Sequence, residues 1–266
     1  MLVALLDAVR GRDDEPKFYF VGDYVNRGPE SKQVVDLLLT MPEAKFVRGN
    51  HDEIFDLVVN EQSYESHAEL NAPIQALLTF LQYGLDSTLT SYGIDMAMIA
   101  HVAHRPSIDA LRTLLEPIPA EHRRFFRALP AAIQEPDLLV AHAKWDVDQL
   151  NDNDTLTDHL SMAHARHLIV WGRYLENEIR RRKPWTRLAC FGHTPVATYA
   201  SPRTRDPHAP LAGPKIVLLD SGAALSMEGR LTAFCADDHS YMQVNRGYDV
   251  IDGGRLAPSP SGRGLG

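Results

Sequence analysis

Two short stretches of this sequence carry side chains able to do chemistry together: Gly22-Asp23-Tyr24-Val25-Asn26-Arg27-Gly28 and Gly49-Asn50-His51-Asp52. Between them they hold carboxylates, amides, an imidazole and a guanidinium. Two more histidines follow in similar settings, His142 in Leu139-Val140-Ala141-His142-Ala143 and His193 in Phe191-Gly192-His193-Thr194-Pro195. Carboxylate, amide and imidazole donors together suit manganese, iron or zinc. An ion of that kind lowers the pKa of a bound water and withdraws charge from the oxygens it touches, which is hydrolytic chemistry. A single Gly-Asp after a strand more often marks a turn, and a single strand-end histidine is more often a satisfied polar side chain. Four such residues, each closing an apolar run, favour a shared site.

The elements that must position them read as alternating strands and helices. Phe18-Tyr19-Phe20-Val21 and Lys45-Phe46-Val47-Arg48 are apolar runs of strand length that end at the two polar blocks. Polar residues at the carboxyl edge of a strand lie where open α/β sheets bind ligands. Residues 1–10 have the pattern of an amphipathic helix ending there. A second helix begins at Pro29-Glu30-Ser31 and buries Val34, Val35, Leu38 and Leu39, giving a strand–helix–strand unit with parallel strands. From Ile54 to about Arg127 the pattern is helical, broken at Tyr83-Gly84 and Tyr92-Gly93. Further strands are expected at Leu138–Ala141, Leu188–Phe191, Ile216–Leu219 and Leu231–Cys235, with an edge strand over Tyr241–Val244. Residues 201–214 read as a proline-rich loop, and Arg180-Arg181-Arg182-Lys183 as a solvated helix end.

The two opening blocks resemble the GDxxDRG and GNHE/D signatures of the calcineurin-like metallophosphoesterases, in particular the bacterial PPP-type Ser/Thr phosphatases. The stretches around His142 and His193, and Leu219-Asp220-Ser221-Gly222-Ala223, fit the same pattern in the same order. The resemblance implies an α/β fold, a four-layer sandwich of two mixed β-sheets flanked by helices. One domain is expected over residues 1–257, with the helical stretch at about 54–130 as an insertion and the Pro/Ser/Gly-rich residues 258–266 as a disordered tail. The resemblance implies two divalent ions, manganese first and iron or zinc as alternatives. Asp23 would bridge them, and Asn50, His142 and His193 would complete the shell of the second. By the same resemblance His51 is the general acid for the leaving alkoxide and Arg27 a phosphate-holding arginine. Arg173, in Val170-Trp171-Gly172-Arg173, is a candidate second phosphate ligand; its other reading is a surface arginine on a helix.

The sequence departs from that pattern in two places. The opening GDxHG signature is absent, so by the resemblance a metallophosphoesterase-like N-terminal strand is expected to be missing from the middle of a sheet, and with it two ligands of the first ion. One ion at best is expected. Asn26 stands where many relatives have the aspartate that pairs with the general acid. An amide can orient an imidazole but cannot stabilise imidazolium by charge, so His51 is expected to hold its proton less well.

A net charge of −8 argues against nucleic acid or an acidic membrane as the main partner. The two cysteines, Cys190 and Cys235, lie in apolar runs and read as buried free thiols of a cytoplasmic protein. No apolar run is long enough to span a bilayer. The leading expectation is hydrolysis of phosphate monoesters, with a phosphoserine or phosphothreonine protein as substrate. A small phosphoester, diadenosine tetraphosphate in particular, is the alternative, and a non-catalytic phosphate-binding relative the second alternative.

Overall fold

The computed structural model describes residues 1–61, 72–145, 163–199 and 206–256. The expected tail at 258–266, and residues 201–205 of the expected loop, lie outside them. Helix α1 (Leu2–Arg10) comes first, then β1 (Tyr19–Phe20), α2 (Ser31–Leu39) and β2 (Lys45–Phe46). The two strands pair in parallel, Tyr19 opposite Lys45 and Phe20 opposite Phe46, so this is the strand–helix–strand unit read from the sequence. Helices α3 (Asn50–Asn60), α4 (Pro73–Leu81), α5 (Leu85–Ser91), α6 (Met96–His104), α7 (Ile108–Leu115) and α8 (Ala120–Ala128) follow. The chain then builds β3 (Ala132–Gln134), β4 (Leu138–Ala141), α9 (Ala163–Trp171), α10 (Glu176–Arg180), β5 (Leu188–Phe191), β6 (Leu211–Gly213) and β7 (Ile216–Leu218). It ends in β8 (Leu231–Phe234), β9 (Ser240–Val244) and β10 (Val250–Arg255).

The architecture is α/β with a mixed sheet. Its five strands run in the order β3-β4-β5-β7-β6, parallel in the middle and antiparallel at both edges. The parallel strands read as unbroken apolar runs because they are buried on both faces. The remaining strands form two separate units, the parallel β1-β2 pair and an antiparallel β10-β9-β8 sheet on which α1 packs.

Several expectations change here. Tyr241–Val244 is not an edge: β9 is the central strand of its sheet, because β10 pairs along its far side. Residues 211–214 are not all loop: β6 folds back on β7 through a turn at Pro214-Lys215, where Lys215 takes φ 66°. Cys190 is buried as expected, but Cys235 is exposed because it lies in the turn after β8. In the basic run, Lys183 is buried, its ammonium over the rings of Tyr174 and Trp185.

Two hydrophobic clusters make up most of the core. One joins α2 through α8, with Leu38, Phe55, Leu77, Leu111 and Phe126 inside. The other packs α9 and α10 on the five-stranded sheet, around Trp145, Ile169, Phe191 and Ile216. Helix α3 is buried from Asn50 to Val59 although it holds three acids. One of them, Asp56, pairs with Arg48 at 2.8 Å, with the side chains 0% and 3% exposed. Arg48 also donates to the carbonyls of Phe126 at 2.7 Å and Leu129 at 3.2 Å, tying the end of β2 to α8. Removing one partner of a buried ion pair is strongly destabilising, so Asp56→Ala is expected to cost about 3–5 kcal/mol, measured by urea unfolding.

Candidate metal centre

Asp23 follows β1 by a sharp turn in which Gly22 has φ 94° and Asp23 itself φ 61°. The end of β2 passes so close that a Cβ on Gly49 would lie 2.1 Å from Asp23 Oδ1, and one on Gly22 would lie 2.6 Å from Gly49 N. The paired glycines therefore let the two blocks touch. Asp52 fastens them: its carboxylate accepts from the backbone N–H of Asp23 (2.8 Å), Tyr24 (2.9 Å) and Gly49 (2.8 Å). Burial first, then the charge of Asp23, pushes Asp52 up to about 7, against the pull of those N–H donors. No role for Asp52 is expected from the sequence pattern above. Its signal was available: an acid three residues after a helix N-cap commonly bonds back to the cap.

Asn50 and His51 are not at a strand end but in the first turn of α3. That turn donates the His51 N–H to Asp23 Oδ1 at 3.1 Å, so the carboxylate sits on a helix N-terminus, which favours negative charge. His142 leaves β4 and His193 leaves β5, two adjacent parallel strands. Asp23 and Asn50 thus come from the first structural half and the two histidines from the second.

The four side chains meet. Asn50 Oδ1 lies 3.1 Å from His142 Nε2 and 3.0 Å from His193 Nδ1, and Asp23 Oδ1 lies 3.4 Å from His142 Nε2. Ligand atoms of Asp23, His142 and His193 all fall within 4.8 Å of one another. His142 donates its Nδ1–H to the Val21 carbonyl at 2.6 Å, which turns the Nε2 lone pair of the neutral ring toward two oxygens. Facing acceptors of this kind call for a cation between them or a proton on the ring. A backbone carbonyl that fixes the far nitrogen is the usual support of a metal-binding histidine. The donor set fits a divalent ion of the manganese, iron or zinc type.

The electrostatics agree with a shared site. Burial opposes charge on both Asp23 and His142. Yet the neighbouring His142 and His51 imidazoles hold Asp23 far below the ordinary range, and Asp23 in turn raises His142. Burial, with the charge of His142, pushes His193 down to about 3, leaving it a neutral donor. Asp220, just past β7, is also raised, by burial and then the charge of Asp23, so it borders the same cluster; the sequence reading gave it no role.

The other expected residues frame this centre. Asn26 Nδ2 lies 2.7 Å from His51 Nδ1, and the Thr88 hydroxyl donates to Asn26 Oδ1 at 3.0 Å. Among the described residues, His51 Nε2 has no hydrogen-bond partner. Arg27 is exposed, its backbone N–H donating to the Gly84 carbonyl at 3.1 Å. Arg173 is also exposed; it lies in the loop after α9 rather than on a helix and donates to Thr194 Oγ1 at 3.2 Å, beside His193. Neither guanidinium meets a carboxylate among the described residues. Asp23, Asn26, Arg27 and His193 all have left-handed backbone, φ 61–76°. Such conformations cost about 1–3 kcal/mol each and cluster at functional sites.

A sequence profile of the calcineurin-like phosphoesterase family matches residues 1–209. A protein of Coxiella burnetii called bis(5'-nucleosyl)-tetraphosphatase, symmetrical, is 32% identical over 122 residues, 43% of this chain and 41% of that protein. A class 3 fructose-1,6-bisphosphatase of Lactococcus lactis is 31% identical over 106 residues, 40% of this chain and 15% of that protein. The match thus spans about two fifths, or less, of these relatives' own lengths. Among solved structures, a metallophosphoesterase from Sphaerobacter thermophilus aligns at TM-score 0.42 and 18% identity, over 94% of this chain and 81% of that one. A cold-active protein tyrosine phosphatase aligns at TM-score 0.47 and 14% identity, over 88% of this chain and 67% of that one.

Proposed function

This chain belongs to the calcineurin-like phosphoesterase family, and we propose that it is a metal-dependent phosphoric ester hydrolase acting on dinucleoside polyphosphates. The convergence of Asp23, Asn50, His142 and His193 beside His51 carries the hydrolytic part of this reading. The name of the Coxiella relatives supports the substrate class; neither it nor the name of the Lactococcus relative supports the phosphoserine or phosphothreonine substrate that the sequence put first. Asp23, Asn50, His142 and His193 would hold a divalent ion, with manganese the first choice. No helix among the described residues is long and apolar enough to cross a membrane, and we take the cytoplasm as the working compartment.

When bound, the ion supplies an activated water and draws charge from the phosphoryl oxygens. The chain's own residues do the rest. Arg27 and Arg173 offer planar guanidinium forks to the oxygens of the phosphoryl group. His51, its Nδ1 held by Asn26, presents Nε2 to the leaving oxygen and gives it a proton. Burial of His51 against Phe80 keeps competing water off the ring.

The test is phosphate or nucleotide release from diadenosine tetraphosphate and from a phosphothreonine peptide, each with manganese, zinc and iron. Faster hydrolysis of the dinucleotide is expected. Faster hydrolysis of the peptide would restore the phosphoprotein reading. Binding of phosphate with no turnover of either, in a folded sample, would leave a phosphate-binding relative and overturn the enzyme.

A further inference from the structure

Large aromatic side chains scattered singly on a surface need no explanation. Tyr83 is not scattered. It is 46% exposed, and its ring centroid lies 5.3 Å from that of Phe80, which is buried. Phe80 in turn meets the His51 ring at 5.5 Å and the Trp171 ring at 6.1 Å, both edge to face. A file of rings therefore leads from His51 at the metal centre to one open aromatic at the surface. No hydrogen bond holds the Tyr83 hydroxyl among the described residues. The turn between α4 and α5 that carries it is fastened to the candidate phosphate-holding loop. Arg27 N–H donates to the carbonyl of Gly84, the next residue, and Ser87 donates to the Gly28 carbonyl at 2.9 Å. So an exposed guanidinium, the His51 imidazole and an accessible aromatic face lie along one wall.

We propose that Tyr83 is the stacking platform for the nucleobase of the leaving nucleotide, which makes it a specificity-determining residue. The leaving group must bring its oxygen to His51 Nε2, and its remainder extends along the wall that Phe80 and Tyr83 form. Phosphates of that remainder would pass Arg27, and an aromatic base beyond them would reach Tyr83. A base stacks on a tyrosine face whatever its identity, so the platform selects nucleotides over aliphatic phosphoesters without selecting among bases.

This rests on the phosphoesterase reading, and the experiment separates the two. Wild type, Tyr83→Phe and Tyr83→Ala are compared in the ratio of kcat/KM for diadenosine tetraphosphate to that for glycerol 2-phosphate. ADP binding by the same proteins is measured by calorimetry. Loss of one base–aromatic stack commonly weakens binding about tenfold or more. Tyr83→Ala is expected to lower the kcat/KM ratio and weaken ADP binding about tenfold, while Tyr83→Phe keeps both. If the wild type hydrolyses both substrates but Tyr83→Ala leaves the ratio and the ADP affinity where they were, the platform is wrong and the hydrolase stands. If the wild type hydrolyses neither, the hydrolase reading falls, and ADP binding still decides: absent or equal binding overturns the platform, and a tenfold loss in Tyr83→Ala supports it.

Discussion

His51→Ala is expected to lower kcat for an alkyl phosphoester about 100- to 10,000-fold while leaving bound metal unchanged. The ring nitrogen that would give up the proton is not among the convergent ligand atoms, so metal content measured on the purified variant should match wild type. The loss should shrink on p-nitrophenyl phosphate, whose leaving phenolate needs less help from an acid. A ligand or a packing residue would lower both substrates alike. Equal losses on the two substrates would remove the acid role from His51.

Asn26 gives this prediction a pH dependence. Burial, aided by the charges of Arg27 and His142, lowers the pKa of His51 against the opposing pull of Asp23. The Asn26 amide, fixed by Thr88, donates to Nδ1 and so favours the neutral ring. A carboxylate in its place would sit about as close and favour imidazolium. Opposite charge at such range raises a histidine pKa by about 1 unit or more. The acid form then persists to higher pH. In Asn26→Asp the alkaline limb of the kcat profile should therefore move upward by about 1 pH unit or more. An unmoved limb would mean that Asn26 does not act through His51.

How much of this could be read beforehand differs from element to element. Leu138–Ala141 and Leu188–Phe191 were legible because a parallel strand buried on both faces is a bare apolar run, and each was followed by the histidine it positions. β10 was not: Val-Ile-Asp-Gly-Gly-Arg has the composition of a turn. Its glycines serve a bulge in which Gly253 lies against the Tyr241 ring, so close that a Cβ there would overlap it. The candidate ligands were legible as residue types. The contact of Asn50 Oδ1 with two imidazoles was not, since it joins residues 92 and 143 positions apart. Nor was the exposure of Tyr83, which depends on how α4 ends against the Arg27 loop. Gly84 read as a helix break, but what the break leaves open is a tertiary fact.

Asp23→Asn is expected to weaken divalent metal binding about 100-fold or more, since losing a supporting partner of a ligand already costs about 10- to 100-fold. Asparagine is the informative replacement because the backbone at this position is left-handed, φ 61°, a conformation it tolerates and alanine does not. Its Oδ1 can keep accepting the His51 N–H, so the first turn of α3 stays anchored. What disappears is the charge that draws His142 and a cation to the same point. A ligand present at 100 times its dissociation constant stabilises the fold by about 2.7 kcal/mol. Added manganese should therefore raise the melting temperature of wild type, and Asp23→Asn should need about 100 times more of it for the same rise. Unchanged melting of the metal-free variant would show that the fold is intact and the loss is one of ligation. An equal rise in both proteins would place the cation away from Asp23, on Asn50, His142 and His193 alone, and the carboxylate would then serve only to cap α3.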